Sequence, residues 1–381
     1  MGNFYTMIPF NKPYLTGEEI TCIQAALQAG KTCGNGTYTQ KCQHFFEQKF
    51  PDSKCLLTTS CTDALEMCAI LADIHPGDEV ILPSYTFVST ALAFVRQGAK
   101  IVFVDSRPDL PGIDETQIEA LITPRTKAIV VVHYAGVSCH MDVVMALADK
   151  YGLLVIEDAA QAIDSFYKGR PLGNIGHLSA FSFHETKNIQ CGEGGMLVVN
   201  ADHLKKRAEV VWEKGTNRAE FFRGEINKYG WVDLGSSFLP AEYVAAFLWS
   251  QLEHFEQIQA RRKIIWEKYY QGLKGIENLR LPYLPDYATN NGHIFYLLCR
   301  SLQERVELIE YLKEKGVHTV FHYLSLHKSI FIEKQGAEIR DLPYADFYTD
   351  CLLRLPFFYE LTDEEIDYIV KCIKDFYFHR A

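Results

Sequence analysis

Positive charge is scarce in this sequence, which has 38 Lys and Arg residues against 48 Asp and Glu residues and a formal net charge of −10. A protein that binds nucleic acid needs a basic face, so this balance argues against such a partner. It does not argue against a small anionic ligand, because a local cluster of cations is enough to bind one.

Long hydrophobic runs are also missing, since no stretch approaches the roughly 20 apolar residues that a membrane helix needs. The segment from Met1 to Pro9 has neither the basic part nor the apolar part of a signal peptide. The 11 cysteines include no Cys-x-x-Cys pair, as is typical of a reducing compartment. No cluster of His and Cys has metal-ligand spacing. We therefore expect a cytoplasmic protein with no membrane segment and no metal.

The pattern from residue 54 to residue 200 predicts a mostly parallel sheet. Most of the short apolar segments are continuous and separated by helical patterns, which is typical of strands buried on both faces. Seven strands are expected, at 54–59, 79–82, 100–104, 127–133, 153–158, 178–183 and 195–200. No helix separates the last two, so one antiparallel strand is predicted. A helix is expected at 114–122.

Beyond residue 200 the regular repetition of strand and helix patterns is lost. A chain of 381 residues is also too long for one small core. Pro240 begins a helical pattern with no breaker until about Gly272, long enough to bridge two domains. Strands at 293–299 and 318–322 then mix with helices. We predict a large domain at 1–250 and a smaller α+β domain at 251–381.

Two charged residues follow neighbouring predicted strands. Asp158 ends the strand at 153–158, and Lys187 comes just after the strand at 178–183. Ligands of such sheets bind at the carboxyl ends of the strands. The lysine could hold the aldehyde of pyridoxal phosphate as a Schiff base, and the aspartate could keep the ring nitrogen protonated. Alone, Lys187 is more simply a surface charge and Asp158 a helix cap.

Further polar and aromatic residues fall at the same edge. Ser60 and Thr62 begin a helix after the first strand, where free amide groups and hydroxyls can cradle a phosphate. Ser182 could also contact phosphate. Phe87, after the second strand, could stack on a flat ring, and Gln161 could donate to the ring's phenolic oxygen. Taken singly, these residues are ordinary helix caps or core aromatics.

Three motifs together resemble the signature of the sugar-nucleotide aminotransferases of the DegT/DnrJ/StrS type. They are Glu157-Asp-Ala-Ala-Gln161, Ser182-Phe-His-Glu-Thr-Lys-Asn188 and Gly192-Glu-Gly-Gly195. The resemblance covers nearly the whole chain and includes Ile8-Pro-Phe near the start and Leu355-Pro-Phe near the end. It implies a pyridoxal-phosphate-dependent transferase of fold type I (aspartate aminotransferase-like), with a mostly parallel seven-stranded sheet and a smaller C-terminal α+β domain.

The resemblance also implies roles for individual residues. Lys187 would form the Schiff base and carry the proton between cofactor and sugar, while Asp158 would pair with the ring nitrogen. The implied cofactor contacts are Cys61 (through its amide), Thr62, Phe87, Asp158, Gln161, Ser182 and Lys187. A homodimer is implied, with the active site at the interface. In the family a Gly-x-Asn-x-Arg segment of the partner subunit completes the phosphate site, and here Ser237 replaces the asparagine and Leu239 the arginine.

The region 213–237 resembles one subgroup of the family. Members of that subgroup move an amino group from L-glutamate to C4 of dTDP-4-keto-6-deoxy-D-glucose, giving dTDP-4-amino-4,6-dideoxy-D-galactose, a sugar of surface polysaccharides such as lipopolysaccharide. Lys214, Arg218 and Arg223 form a basic cluster suited to the diphosphate, although they could equally be a solvated loop. Tyr323 and His327 lie in a segment that lines the sugar pocket in the family, although a lone histidine is usually structural.

Alternatives remain at this stage. Amination at C3 of a dTDP-3-keto-6-deoxyhexose is not separated from amination at C4, because the choice depends on how the sugar is turned in its pocket. A sugar dehydratase of the same fold would carry histidine in place of Lys187. A non-catalytic relative would be expected to lose Lys187 or Asp158, and both are present.

Overall fold

The structure is a computed structural model that describes residues 7–335 and 340–378. Residues 1–6 lie outside the described residues. The prediction that the segment from Met1 to Pro9 is not a signal peptide therefore concerns residues that mostly lie outside the described part of the chain. Among the residues described, no helix is both long enough and apolar enough to span a bilayer, and no group of His, Cys, Asp and Glu has the arrangement of a metal site.

A seven-stranded sheet forms the centre of the molecule, as predicted. Up to residue 200 the strands are β1 (Lys54–Thr58), β2 (Glu79–Pro83), β3 (Lys100–Val104), β4 (Thr126–Val132), β5 (Leu154–Asp158), the short hairpin β6 (Phe166–Tyr167) and β7 (Arg170–Pro171), β8 (Leu178–Ser182) and β9 (Gly195–Val199). The order across the sheet is β1-β9-β8-β5-β4-β2-β3. Only β9 runs antiparallel to its neighbours, which confirms the expected exception.

Helices cover both faces of this sheet. They are α1 (Glu19–Gln28), α2 (Thr37–Lys49), α3 (Cys61–Leu71), α4 (Ser89–Val95), α5 (Met141–Tyr151), α6 (Asp202–Trp212), α7 (Arg218–Phe222), α8 (Glu242–Glu253) and α9 (Phe255–Leu273). Successive strand residues point to opposite faces. Leu56 and Val130 therefore pack with α3 and α6, whereas Leu57 and Val131 pack with α2, α5 and α8. This two-sided burial explains why the strands are continuously apolar.

Two predicted helices differ from the structure. The segment predicted as a helix at 114–122 forms two short 3-10 turns, Glu115–Gln117 and Glu119–Leu121. Pro124 follows, and the residue before a proline is disfavoured in helical geometry, so the turns cannot extend into a helix. The long helix predicted from Pro240 is divided at His254 into α8 and α9.

The C-terminal part contains a second sheet of three strands, β10 (Tyr296–Leu298), β11 (Val320–Phe321) and β12 (Leu352–Arg354), in the order β10-β12-β11. Its helices are α10 (Leu302–Glu314), α11 (Ile330–Lys334), α12 (Pro343–Cys351) and α13 (Asp363–Phe378). Helix α9 joins two cores: Phe255 packs under the large sheet, and Tyr269 packs with α13. The domain boundary at residue 250 stays a prediction.

Candidate active site

A cavity of about 560 Å³ opens at the carboxyl edge of the seven-stranded sheet. Its wall is built from the segments that follow β1, β2, β5 and β8, together with residues near β10, β11 and β12. Parallel strands place their carboxyl ends at the same edge, so side chains far apart in the sequence meet there. Eight predicted site residues line this cavity: Cys61, Thr62, Phe87, Asp158, Gln161, Ser182, Lys187 and Tyr323.

Lys187 lies in the turn between β8 and β9. Its backbone amide donates to the carbonyl of His184 at 2.8 Å, which fixes the turn. Among the described residues, its ammonium group makes no hydrogen bond and no ion pair. Burial lowers the pKa of Lys187 below the 10.5 of an ordinary lysine. A lysine in this state has a larger fraction of neutral, nucleophilic amine at neutral pH than a surface lysine has.

Asp158 ends β5 with its carboxylate held in place by two donors. The hydroxyl of Thr90 donates to Oδ2 at 2.7 Å, and the amide of Ala160 donates to Oδ1 at 3.2 Å. Thr86 lies 2.8 Å from Thr90 and supports it. No cationic side chain of the described residues forms an ion pair with Asp158. Burial therefore raises the pKa of Asp158, and these hydrogen bonds only partly offset that effect.

Glu157, the preceding residue, is a buried carboxylate that has a hydrogen-bond partner for both of its oxygens. It points to the other face of β5, where His133 lies 2.8 Å away and the amides of Gly173, Ile175 and Gly176 donate to it. Burial raises the pKa of Glu157, but these contacts outweigh burial and the net shift is downward. Glu157 thus anchors the 173–176 loop, and Asp158 is the carboxylate left for a ligand.

Gln161 is held at the cavity wall by its own side chain. Its Oε1 accepts from the amide of Ala135 at 2.7 Å, which orients the amide group, and its Nε2 donates to the hydroxyl of Tyr323 at 3.1 Å. Tyr323 adopts a left-handed backbone with a φ of 37°, a strained conformation for a tyrosine. The Tyr323 hydroxyl therefore accepts from Gln161 Nε2, the same donor that the sequence analysis assigns to the phenolic oxygen of the cofactor ring.

The N-terminus of α3 forms the phosphate end of the cavity. Ser60 caps the helix through Asp63, whose amide donates to its hydroxyl at 3.1 Å. The amides of Cys61 and Thr62 precede that capped position, where helix N–H groups have no partner within the helix. The Thr62 hydroxyl lies 2.8 Å from that of Ser89. Gly195 passes so close that a Cβ there would lie 2.4 Å from the Cys61 nitrogen.

These features fit pyridoxal phosphate. A buried carboxylate without a cation suits a protonated ring nitrogen, and a buried lysine without an anion suits an aldehyde. A helix N-terminus with free amides and hydroxyls suits the phosphate. Phe87 is 54% exposed at the cavity wall, where its ring centre lies 6.0 Å from that of Tyr323, and the exposed part of the ring is available to a flat ligand.

Sequence reasoning missed two wall residues of the C-terminal part, His293 and Arg354. His322 also lines the cavity and belongs, with Tyr323, to the segment that the resemblance assigns to the sugar pocket. Arg354 ends β12, its Nε is buried with no hydrogen-bond partner among the described residues, and burial lowers its pKa. Its guanidinium lies 4.6 Å from the centre of the Phe10 ring. No local sequence motif predicts His293 and Arg354 as cavity residues, because their positions depend on how the second sheet packs against the first.

Four predicted residues do not line the cavity of this chain. Ser237 and Lys214 are exposed, and Arg218 lies at the surface, 3.5 Å from Glu213 and over the ring of Phe222. Their roles stay predictions.

His327 is 2% exposed, and its Nδ1 lies 2.7 Å from the Ser84 hydroxyl. No contact with the cavity supports its predicted role in sugar binding.

The fold is that of the pyridoxal-phosphate-dependent transferases of fold type I, and the solved structures that it matches agree. It superposes on the aminotransferase TlmJ from Streptoalloteichus hindustanus with a TM-score of 0.89 at 27% identity, covering 98% of this chain and 100% of that one. A putative sugar aminotransferase, Spr1654 from Streptococcus pneumoniae, gives a TM-score of 0.90 at 26% identity over 98% of both chains, in a structure solved in its PMP form.

The chain belongs to the DegT/DnrJ/EryC1/StrS aminotransferase family, whose model matches residues 13–374. It is 32% identical over 376 residues to the spore coat polysaccharide biosynthesis protein SpsC of Bacillus subtilis, covering 97% of this chain and 96% of that protein. These comparisons establish a sugar aminotransferase of the pyridoxal-phosphate-dependent type.

Proposed function

We propose that this protein moves an amino group from L-glutamate to C4 of dTDP-4-keto-6-deoxy-D-glucose, giving dTDP-4-amino-4,6-dideoxy-D-galactose. The observation that carries the transaminase assignment is that Lys187 and Asp158 are both buried and line one cavity. Their charges attract each other, but neither forms an ion pair with any side chain of the described residues. The dTDP sugar and the C4 position are supported by the resemblance of residues 213–237 to the C4 subgroup. The relationship to SpsC supports a role in surface polysaccharide synthesis.

Pyridoxal phosphate, when bound, supplies an aldehyde that carries the amino group and a ring that takes up the electrons released at the substrate carbon. Lys187 would bind the aldehyde carbon and, once released from it, would move a proton at its Nζ. The Asp158 carboxylate, held by Thr90, would keep a proton on the ring nitrogen. The helix N-terminus at Cys61 and Thr62, with Ser182, would hold the phosphate, and Phe87 would contact the ring.

Arg354 supports an anionic amino donor. Its guanidinium lines the cavity, has no carboxylate partner among the described residues, and offers several N–H donors in a planar group. A carboxylate of L-glutamate is the kind of group that such a cation binds with charge-assisted hydrogen bonds. We assign Arg354 to the donor carboxylate.

A homodimer in the cytoplasm is part of the proposal. The segment 213–239 carries exposed apolar side chains, including Phe222 at 68%, Trp231 at 82% and Leu234 at 54% exposure. Exposed apolar groups of this size are typical of an interface between subunits. In the dimer, Ser237 of one subunit would contact the phosphate in the other, and Lys214 and Arg218 would contact the sugar nucleotide. The large and small domains would divide near residue 250.

The deciding experiment is incubation with L-glutamate and dTDP-4-keto-6-deoxy-D-glucose, followed by NMR of the sugar product. We expect an amino group at C4 in the galacto configuration. An amino group at C3 would establish the alternative, a C3-aminotransferase acting on a dTDP-3-keto-6-deoxyhexose. No transfer from glutamate to any keto sugar nucleotide would contradict the proposed activity itself.

A further inference from the structure

His293 lies just before β10 and lines the cavity that holds Lys187, although it is only 4% exposed. The proposed chemistry assigns it no task. Its two ring nitrogens have different surroundings. Nδ1 lies 2.8 Å from Oδ1 of Asn188, the residue after the reactive lysine. Nε2 has no hydrogen-bond partner among the described residues.

The hydrogen bonds of Asn188 determine which nitrogen of His293 carries the proton. Asn188 Nδ2 donates to the backbone carbonyl of Asn291 at 3.0 Å and to Oε1 of Gln259 at 2.9 Å. A backbone carbonyl can only accept, so the Asn188 amide cannot be turned around. Its Oδ1 is therefore the acceptor that faces His293, and Nδ1 of the ring must be the donor.

The surrounding amides are fixed in the same way. Asn291 donates through Nδ2 to the backbone carbonyls of Gln161 at 2.8 Å and Ile163 at 2.6 Å, and its Oδ1 accepts from the His293 amide at 3.0 Å. Arg262 donates to the carbonyls of Gly292 and His293. Every member of this network has one possible orientation. The His293 ring is consequently held rigid as well as in one tautomer.

The ring is also uncharged. Burial lowers the pKa of His293 well below 6.5, and the nearby cations Lys187, Arg262 and Arg354 lower it further, together with His322. A neutral ring with its proton on Nδ1 has a free lone pair on Nε2. Because protonation of this ring is so unfavourable, Nε2 is a weak base, although it can accept a hydrogen bond.

We infer that His293 Nε2 is a fixed hydrogen-bond acceptor for a hydroxyl group of the sugar substrate, and that it helps to select that substrate. This inference rests on the proposed function. A carboxylate has no proton to donate, which excludes the amino donor's acidic groups as partners. Another ammonium group is disfavoured by the cations already present. A neutral hydroxyl, as on a sugar ring, is the donor that satisfies Nε2 without adding charge.

Two variants separate this role from a structural one. In His293→Asn the side-chain amide can still donate to Asn188 but has no atom at the position of Nε2. In His293→Gln an amide oxygen can reach the position of Nε2. We expect His293→Asn to lower kcat/KM for the keto sugar nucleotide about tenfold, as for one lost hydrogen bond, and to lower kcat/KM for L-glutamate much less. His293→Gln should recover part of the loss.

An equal loss in both half-reactions, or no loss in either, would overturn the inference. A wild-type protein inactive toward both substrates would instead refute the proposed function. In that case NMR of ¹⁵N-histidine-labelled protein still gives a result without activity. We expect a proton on Nδ1 and none on Nε2, and a shift of the Nε2 resonance when dTDP-glucose is added to the cofactor-loaded protein. A protonated Nε2, or a resonance that does not move, would overturn the assignment.

Discussion

The cavity wall and the segment 213–239 differ in the burial and the hydrogen bonding of their side chains. At the wall, polar side chains such as Asp158 and Gln161 are buried, and each is oriented by two hydrogen bonds. In the segment, cations and large apolar side chains face outward, and Arg218 has a single weak ion pair at 3.5 Å. One chain therefore supplies both Lys187 and Asp158 to a single cavity, whereas the residues proposed to select the nucleotide lie outside the cavity of that chain. Reaction type and substrate choice are separable in this fold.

The largest effect is expected from Lys187→Ala. The substitution removes the group that binds the aldehyde and moves the proton, so turnover should fall by at least about 10³-fold. The measurement is amino transfer from L-glutamate, combined with the visible absorbance of the cofactor-loaded protein. Lys214→Ala is the comparison from the outward-facing segment, because Lys214 is exposed and its proposed role concerns the sugar nucleotide and not the cofactor, so this variant should keep the cofactor absorbance. Equal loss of cofactor absorbance in both variants would contradict the distinction between the two regions.

Asp158→Asn should have the next largest effect. The amide is close in shape and can still accept from Thr90, but it carries no charge to hold a proton on the ring nitrogen. We expect turnover to fall by about 10² to 10³-fold with little change in melting temperature.

Glu157→Gln provides the comparison for Asp158. Its carboxylate accepts from His133 and three loop amides, so the loss should appear as a lower melting temperature, corresponding to about 3 kcal/mol of unfolding free energy. Thermal unfolding of both variants measures the contrast. If Asp158→Asn were the more destabilised protein, the division between a ligand carboxylate and a structural carboxylate would be wrong.

Arg354→Ala addresses the donor side of the cavity. Removing a cation that binds a carboxylate costs about 1.5 to 3 kcal/mol, so KM for L-glutamate should rise about 10- to 100-fold. Binding of the keto sugar nucleotide should change much less. Steady-state kinetics with each substrate varied in turn would show the difference. A rise in KM for the sugar nucleotide alone would assign Arg354 to the nucleotide instead.

Trp231→Ser tests the outward-facing segment and should have the smallest effect on chemistry. Trp231 is 82% exposed, so its loss should not disturb packing within the chain. At a subunit interface a buried tryptophan contributes about 2 kcal/mol. Because both subunits of a homodimer carry the change, the loss is about 4 kcal/mol, and the dimer should dissociate about 10³-fold more readily. Sedimentation across a range of concentrations measures this. A wild-type protein that stays monomeric would remove this segment as an interface.

The sequence could predict the sheet and the residues at its edge because both depend on local pattern. Continuous apolar segments indicate buried strands, and the residue after a parallel strand lies at the ligand-binding edge whatever the details of packing. The positions of Lys187 and Asp158 at that edge could be predicted in that way. The break at His254 could not, since one residue in non-helical geometry leaves no clear signal in a helical pattern.

Residues from the second sheet could not be predicted either. Arg354 and His293 reach the cavity only because the three-stranded sheet packs against the large one, and no local pattern encodes that packing. His327 is the opposite case, because the sequence analysis placed it at the cavity and it does not line the cavity of this chain. It shares a segment with Tyr323, which lines the cavity, yet it turns inward to Ser84. Over four residues of irregular backbone, neighbours in sequence need not share an environment.

The central claim is that Lys187 is the lysine that holds the cofactor, and chemical trapping tests it most directly. The protein would be loaded with pyridoxal phosphate, reduced with borohydride, digested and analysed by mass spectrometry. We predict a single reduced pyridoxyl group, attached to Lys187, and none in protein loaded in the presence of excess L-glutamate, which releases the lysine. Attachment to another lysine, or no attachment in coloured protein, would contradict the account.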